Sequence, residues 1–412
     1  MKYGVIGEHL KHSFSKDIHE KIADYKYDIC EIEPEKLDDF IKSGEFEGIN
    51  VTIPYKEKVI PHLYSVSDKA KRIGAVNTVV NKDGKLYGYN TDYMGMRALI
   101  LRNKIDLKGK KALIMGNGGT AKTGHAVLTD LGASQIIHVG REGEGADVLY
   151  GDVVELHSDA DFILNTTPVG MFPKNEGKII DIKLFPKLMG LIDVVYNPLR
   201  TNIVLDAIEM GIPAESGLYM LVSQAVYASE FFLEKKYDIS VCESTFKEIL
   251  KSKENIVLTG MPSSGKTTVG KYLAGITGKE FIDTDDEIVK KIGMDIPSYF
   301  AKYGEKAFRD VESEVIGEIS KKNGLIISTG GGAILRKENV RSLKQNGRVY
   351  FLNRSLELLT PTSSRPLSSD MEALKKRFEE RYELYLNSCD VEIKVDGTVK
   401  EVGDIISEEF YK

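Results

Sequence analysis

The chain is poor in cysteine: Cys30, Cys242 and Cys389 are odd in number and far apart among 412 residues, and no C-x-x-C pair occurs. That excludes a disulfide framework and gives no zinc-site spacing, so the three read as inert thiols of a reducing compartment. No apolar run approaches the ~20 residues that span a bilayer, and the opening MKYGVIGEHL lacks the apolar stretch of a signal peptide. Nor is there a basic run to track a nucleic-acid backbone or an anionic membrane. With 56 basic and 62 acidic residues the formal charge is −6, so any positive field is local to a site. Internal repeats and low-complexity linkers are also missing. These absences set the expectation of a cytoplasmic protein with small-molecule substrates, no nucleic acid and no membrane partner, with a homodimer as the assembly to test.

What is present is an ordinary globular composition, 42% hydrophobic, in a chain long enough for two or three domains. Short apolar runs at Tyr3 to Ile6, Gly48 to Ile53 and Ala75 to Val80 alternate with helical stretches, predicting a mixed or parallel sheet covered by helices. A second series, Lys111 to Met115, Ile136 to Val139, Phe162 to Leu164 and Leu191 to Val195, has the rhythm of βαβ units and predicts a doubly wound sheet. A boundary is expected near residue 253, after which strands at 256 to 259, 325 to 328 and 348 to 352 again alternate with helices.

Residues 260 to 267, GMPSSGKT, match the phosphate-binding pattern G-x-x-x-x-G-K-[ST] and lie between an expected strand and an expected helix, as that pattern requires. Gly260, Ser263, Ser264, Gly265, Lys266, Thr267 and Thr268 are the candidate nucleotide contacts. Backbone N–H groups of such a loop point at phosphate, Lys266 adds a point charge, and Thr267 offers an oxygen to Mg²⁺. Phe281 to Asp285 then reads as a strand ending in two carboxylates on one face, Asp283 towards the metal and Asp285 towards an acceptor hydroxyl. Further on, Glu312 is placed one helical turn from Arg309, where it would orient the guanidinium for a carboxylate. The glycines Gly330 to Gly332 let backbone approach a ligand, Arg365 lies in a Ser/Thr/Pro-rich stretch resembling a mobile lid, and Arg381 lies on an expected helix, 375 to 385.

In the first half, Gly116, Asn117, Gly118, Gly119 and Thr120 form a glycine turn between strand and helix, although Ala121 takes the third glycine position of G-x-G-x-x-G. The next strand ends in Gly140 and Arg141 rather than an acid, which favours NADP over NAD. Ahead of that sheet, strand ends are dense in small polar groups: Ser13 and Ser15, Asn50 to Lys56, Asn77 and Thr78, and Asn90 to Asp92. Hydroxyls, amides and a Lys56/Asp92 pair suit a polyhydroxylated carboxylate.

Here the first ~250 residues resemble shikimate dehydrogenase. The motifs N-V-T-x-P-x-K, G-A-x-N-T and N-T-D-x-x-G occur in order, followed by Asn165 to Met171, Tyr196 to Pro198 and Gly217 to Ala225. The resemblance implies a substrate domain at 1–105 completed by 218–252, and an NADP-binding Rossmann domain at 106–217. It implies reversible reduction of 3-dehydroshikimate by NADPH, with Ser13 and Ser15 on the carboxylate, Thr52, Asn77 and Gln224 on ring hydroxyls, and Lys56 with Asp92 as the catalytic pair. Which of the pair gives the proton is left open. Lys16, Glu20, Gly140 and Glu142 depart from the family pattern, the last two where cofactor preference is set. Quinate is the second substrate the resemblance allows.

Residues 253–412 resemble shikimate kinase through an ordered series: P-loop, D-x-D, G-E-x-x-F-R-x-x-E, G-G-G, R-P-L and R-x-x-L-Y. This implies a P-loop kinase α/β domain with a parallel sheet, using ATP and Mg²⁺. Shikimate contacts would come from Asp285, Arg309, Gly331, Gly332 and Arg381, catalysis from Lys266, Asp285 and Arg365, and metal support from Thr267 and Asp283. Leu358 to Pro361 stand where the family carries an adenine-side arginine. The expectation is therefore a bifunctional α/β enzyme. Its rivals are a dehydrogenase joined to a catalytically impaired regulatory module, or to a kinase for another polyol acid such as gluconate.

Overall fold

The computed structural model describes residues 1–8, 10, 14–143, 145–359 and 371–412; the expected site residues Ser13 and Arg365 lie outside them. The chain divides into two compact units, Met1–Ile249 and Leu250–Lys412, and the division falls within the helix Ile239–Lys253. Among the described residues no helix is long and apolar enough to cross a membrane.

The first unit holds two sheets. One comprises β1 (Tyr3–Gly7), β2 (Tyr27–Glu31), β3 (Gly48–Val51), β4 (Ser65–Val66), β5 (Thr78–Lys82) and β6 (Lys85–Tyr89), ordered β2-β1-β3-β5-β6-β4. It is mixed: β1 runs parallel to β2 and β3, whereas β5 is antiparallel to both β3 and β6. The expected strand at 75 to 80 starts later, at Thr78, and continues into a hairpin whose tip, Asp83 and Gly84, has positive φ at both residues, the geometry that an Asp-Gly turn favours. Ile6, Ile49, Val51 and Val79 pack on Leu37 and Ile41 to form the core beneath this sheet.

The other sheet comprises β7 (Lys111–Met115), β8 (Gln135–Gly140), β9 (Val148–Leu149), β10 (Phe162–Asn165), β11 (Gly190–Asp193) and β12 (Ala214–Ser216). All its pairings are parallel and the order is β12-β11-β10-β7-β8-β9, the arrangement of a dinucleotide-binding sheet whose order reverses between β7 and β10. Parallel strands covered on both faces are rich in apolar residues, and Leu113, Met115, Ile163 and Leu191 are fully buried.

Asp193, at the end of β11, is itself wholly buried, and accepts hydrogen bonds from Asn165 Nδ2 (3.0 Å), the Val195 N–H (3.0 Å) and Thr201 Oγ1 (2.7 Å). Burial pushes its carboxyl up to about 6, against those three donors. An acid raised in this way contributes stability that is complete below its unfolded value of ~3.9 and is lost as pH rises through the folded one. Denaturant unfolding of the first unit is thus expected to show a wild-type versus Asp193→Asn difference that changes between pH ~4 and ~6 and is level above. A difference level across the whole range refutes the assignment.

The second unit carries β13 (Asn255–Thr259), β14 (Glu280–Asp283), β15 (Leu325–Ser328), β16 (Gly347–Asn353) and β17 (Val391–Lys394), all parallel in the order β14-β15-β13-β16-β17. Ile256 and Leu258 face one core with Leu273 and Ile406, and Val257 faces the other with Val315 and Ile316. The central β13 thus ends at the point where strand order reverses, and the P-loop follows it directly.

One local expectation is corrected. Phe281 to Asp285 is not a continuous strand: β14 stops at Asp283, which caps the helix Thr284–Ile292 by accepting from the Asp285 N–H at 3.0 Å. A carboxylate before a run of acidic residues satisfies helix N–H groups and suits the positive end of the helix dipole, and that outweighs continued strand pairing.

Candidate active sites

The first candidate site lies at strand ends of the mixed sheet. The loop after β3 is pinned by Tyr55, wholly buried with its hydroxyl bonded to the Ile32 carbonyl, and by the Lys56 carbonyl, which accepts from Val76 N–H at 2.8 Å. With the backbone held on both sides, Lys56 Nζ reaches Asp92 Oδ2 at 2.6 Å, and both side chains keep about a fifth of their surface open, 21% and 16%. Asp92 sits in the first turn of the helix Thr91–Arg102; its cap is Asn90, whose side chain accepts from Tyr93 N–H, so Asp92 is not consumed by capping. Asn77 and Gln224 are buried and come together through Thr91, because Gly95 lets the helix Thr91–Arg102 approach the helix Leu218–Leu233: a Cβ there would lie 2.5 Å from the Met220 carbonyl. Ser15 is buried at the start of the helix Ser15–Ile22, and Thr52 is half-buried. The departures Lys16 and Glu20 form an i,i+4 pair, with Glu20 also accepting from the Tyr27 N–H.

The glycine turn stands at the reversal between β7 and β10. Gly116 has φ +102°, and a Cβ on it would meet Thr167 at 2.9 Å and Thr166 at 3.0 Å, whereas at Gly118 and Gly119 a Cβ would meet nothing within 4 Å. Closed on the β10 side and open at the next two glycines, the turn fits a dinucleotide pyrophosphate at the start of the helix Gly119–Asp130. Asn117 and Thr120 are half-buried beside it, and Arg141 is exposed just past the end of β8.

In the second unit, Gly260 and Gly265 have φ of +147° and +96°, and Ser263 adopts +65° although it is not glycine, so the loop is wound tightly around its own interior. Lys266, only 5% exposed, donates to the carbonyls of Gly260 and Met261, both at 2.9 Å, and the buried Ser264 hydroxyl has no protein partner. A buried ammonium and an orphaned hydroxyl inside a loop of N–H groups fit bound phosphate. Thr267 Oγ1 lies 2.8 Å from Asp283 Oδ2 and 3.5 Å from Ser328 Oγ, an all-oxygen set suited to Mg²⁺ and its waters, while Thr268 is exposed.

Across from this loop, Gly330 to Gly332 gather the acceptor side. A Cβ on Gly330 would lie 2.6 Å from Asp285 Oδ1, and one on Gly332 would overlap Arg309 Nη1. Arg309 Nη1 donates to the buried Glu312 at 2.7 Å, and Arg381 Nη1 donates to the Gly331 carbonyl at 3.0 Å. Burial pushes the Glu312 carboxyl up, against the pull of Arg309. Asp285, Arg309 and Arg381 thus meet at one glycine segment, two guanidinium groups for a carboxylate and one carboxylate for a hydroxyl.

A family model for shikimate kinase matches residues 262–410, and one for the shikimate dehydrogenase substrate binding domain matches residues 5–79. The NADP(+)-type shikimate dehydrogenase of Clostridium perfringens (strain SM101 / Type A) is 37% identical over 265 residues, 60% of this chain and 97% of that protein. This chain belongs to the shikimate dehydrogenase family, and it carries a shikimate kinase domain. Among solved structures, a chorismate mutase/shikimate 5-dehydrogenase fusion from Clostridium acetobutylicum matches with TM-score 0.57 and 35% identity over 60% of this chain and 96% of that one. The shikimate 5-dehydrogenase of Thermus thermophilus, solved with NADP(H) and shikimate, matches with TM-score 0.54 and 28% identity over 60% and 99%.

Sequence reasoning on the shikimate dehydrogenase unit named Thr91 among the small polar groups Asn90 to Asp92 but gave it no role; in the fold its hydroxyl meets both Asn77 and Gln224. In the shikimate kinase domain it passed over Tyr385, whose hydroxyl donates towards the carbonyls of Gly331 (2.5 Å) and Gly260 (3.0 Å), tying the acceptor glycines to the P-loop. The signal was the tyrosine closing R-x-x-L-Y.

Proposed function

We propose that the first unit reduces 3-dehydroshikimate to shikimate with NADPH and that the second phosphorylates shikimate with ATP to shikimate 3-phosphate, one polypeptide carrying two consecutive steps. The observation that carries this reading is that two sites of different construction, Lys56/Asp92 beside Asn77 and Gln224, and Asp285 beside Arg309 and Arg381, suit the same polyhydroxylated carboxylate.

NADPH supplies the hydride, and Mg·ATP supplies the phosphoryl group. As the ketone carbon takes up hydride its oxygen becomes an alkoxide, and the Lys56/Asp92 pair delivers the proton that neutralises it. Asn77, Thr52 and Gln224 fix the ring through its hydroxyls, and Ser15, with Ser13, holds the carboxylate. In the kinase domain Arg309 and Arg381 hold that carboxylate, and Asp285 orients the attacking hydroxyl and takes its proton. Lys266, with Arg365, offsets charge gathering on the transferred group, where positioning and electrostatics provide most of the acceleration. Thr267 and Asp283 support Mg²⁺. Cytoplasmic residence and a homodimer belong to the same reading.

The test is a coupled reaction of the intact protein with 3-dehydroshikimate, NADPH and Mg·ATP, following NADPH absorbance and product mass together. Shikimate 3-phosphate is the expected product. Shikimate without phosphate sinks the kinase half, and failure to consume either NADPH or NADH sinks the dehydrogenase half.

A further inference from the structure

Beside the glycine turn of the first unit, a cavity of about 560 Å³ opens along the helix Gly119–Asp130. Among the described residues its polar lining is Arg72, Asn117, Lys122, His125, Thr129 and His138, with no carboxylate. Two cations, two imidazoles, an amide and a hydroxyl make a lining for an anion. Arg72 is already committed to Asp130, which accepts from it at 2.9 and 2.7 Å, and Lys122 is paired with Glu57 at 2.7 Å. The imidazoles have no acidic partner of this kind. Their rings stack with centroids 5.2 Å apart, His125 Nδ1 lies 2.9 Å from His138 Nε2, and His138 Nδ1 is buried with no hydrogen-bond partner. Asp147 accepts from the His138 backbone N–H at 2.8 Å. Whichever tautomers the pair adopts, one proton lies between the rings, so a neutral pair has one N–H left for a ligand, and a bound anion favours a further proton on it.

The place of the cavity decides which anion it suits. A dinucleotide over the glycine turn sets its adenosine ribose at the end of the following strand, where an acidic side chain would bind the 2′-hydroxyl of NAD. Here that strand, β8, ends in Gly140, and strand alternation puts His138 on the same face two residues deeper. With only a hydrogen at position 140, His138 is the first side chain met on that face below the strand end, and Asn117 of the glycine turn lines the same cavity. We propose that His125 and His138 bind the ribose 2′-phosphate of NADP, the pair giving N–H donors and, with Lys122, the positive charge that balances the phosphate. Arg141, exposed past the end of β8, is then one cation of this site rather than the whole of it. The inference rests on the dehydrogenase reading and adds to it the residues that select NADP over NAD.

The experiment titrates NADP⁺ and NAD⁺ separately into the intact protein by calorimetry, for wild type, His125→Ala, His138→Val and the double variant. Wild type is expected to bind NADP⁺ the more tightly. The double variant is expected to lose at least about tenfold in NADP⁺ affinity while its NAD⁺ affinity stays within about twofold, with the single variants in between. His125 is exposed and valine suits a strand, so both substitutions spare the fold. If His138→Val does not accumulate as folded protein, His125→Ala alone carries the test, with a loss of at least about threefold for NADP⁺ only. In shikimate oxidation the ratio of kcat/KM for NADP⁺ to that for NAD⁺ should fall by the same factor, with kcat at saturating NADP⁺ unchanged. Unchanged NADP⁺ affinity, an equal loss for both cofactors, or a wild type without preference for NADP⁺ would each overturn the inference while the dehydrogenase reading stands. A wild type that binds neither cofactor overturns that reading, and the inference with it.

Discussion

Replacing Lys56 by Met is expected to lower kcat for shikimate oxidation by roughly 10³-fold and to leave shikimate phosphorylation by the same polypeptide within about twofold. The ammonium lies 2.6 Å from Asp92 and only a fifth exposed, so no other group takes its place when it is removed, and solvent reaches the developing alkoxide poorly. Its loop is fixed by the buried Tyr55 ring and the Lys56 backbone carbonyl, neither of which the substitution alters. The loss should therefore fall on kcat with little change in fold. Lys56→Arg should not restore the rate, since a guanidinium keeps its charge but does not release a proton in the working pH range. Asp92→Asn should fall by a comparable factor, and the double variant by little more than either single, because paired catalytic groups act as a unit. Steady-state kinetics of the four variants check this. A Lys56→Met rate above about a tenth of wild type would remove the pair from the proton-transfer step.

How much of this could be read from the sequence depends on whether a feature is local. The P-loop is local: a buried strand, glycines at positive φ and a helix N-terminus within a dozen residues, and the residue types alone require that backbone. The βαβ rhythm of β7 to β11 is similarly local, because parallel strands covered on both faces carry apolar runs, such as Ala112 to Met115 and Phe162 to Leu164. The reading of Phe281 to Asp285 as strand shows the opposite case. Alternation would put Asp283 and Asp285 on one face, but the first is a helix cap and the second lies in the first helical turn. Between them Thr284 is buried, its hydroxyl receiving the Gly330 N–H. The acidic run Asp283, Asp285, Asp286, Glu287 carried that helix-start signal. In the same way Gly304, with φ +82° inside the helix Ile296–Ile319, marks a kink that periodicity does not report.

Thr91 illustrates what no local pattern supplies. In the sequence it stands with Asn90 and Asp92 as one small polar group among several, and no role singles it out, since a threonine at a helix start has a sufficient local explanation. Its meaning lies in partners 13, 14 and 133 residues away, Thr78, Asn77 and Gln224, which meet it only once Gly95 has let two helices touch. Arg309 and Arg381 share this dependence: each reads as surface charge until Gly331 and Gly332 place them against one segment.

Lys266→Ala is expected to lower kcat of shikimate phosphorylation by roughly 10²–10³-fold, with KM for shikimate within about threefold and dehydrogenase kinetics unchanged. The expectation follows from what each element holds. Lys266 is buried within the loop, bonded to the carbonyls of Gly260 and Met261, so its charge is already positioned and desolvated before nucleotide arrives. Charge held this way stabilises a transferring phosphoryl group more than it would in water, and its removal falls on the chemical step. The acceptor contacts sit on other elements, the helix Ile296–Ile319, the helix Met371–Ser388 and the Gly330 to Gly332 segment, and do not rely on the lysine. Arg309→Leu provides the contrast. It leaves the loop intact, strands the buried Glu312 and should raise KM for shikimate by roughly tenfold or more. Two variants with opposite kcat and KM signatures would thus separate phosphate chemistry from carboxylate recognition. Mg·ATP should raise the unfolding temperature of Arg309→Leu but not of Lys266→Ala. If Lys266→Ala kept that shift and lost less than about tenfold in rate, the loop's backbone N–H groups alone would hold the phosphates, and the lysine would serve the loop's own folding by joining its two carbonyls.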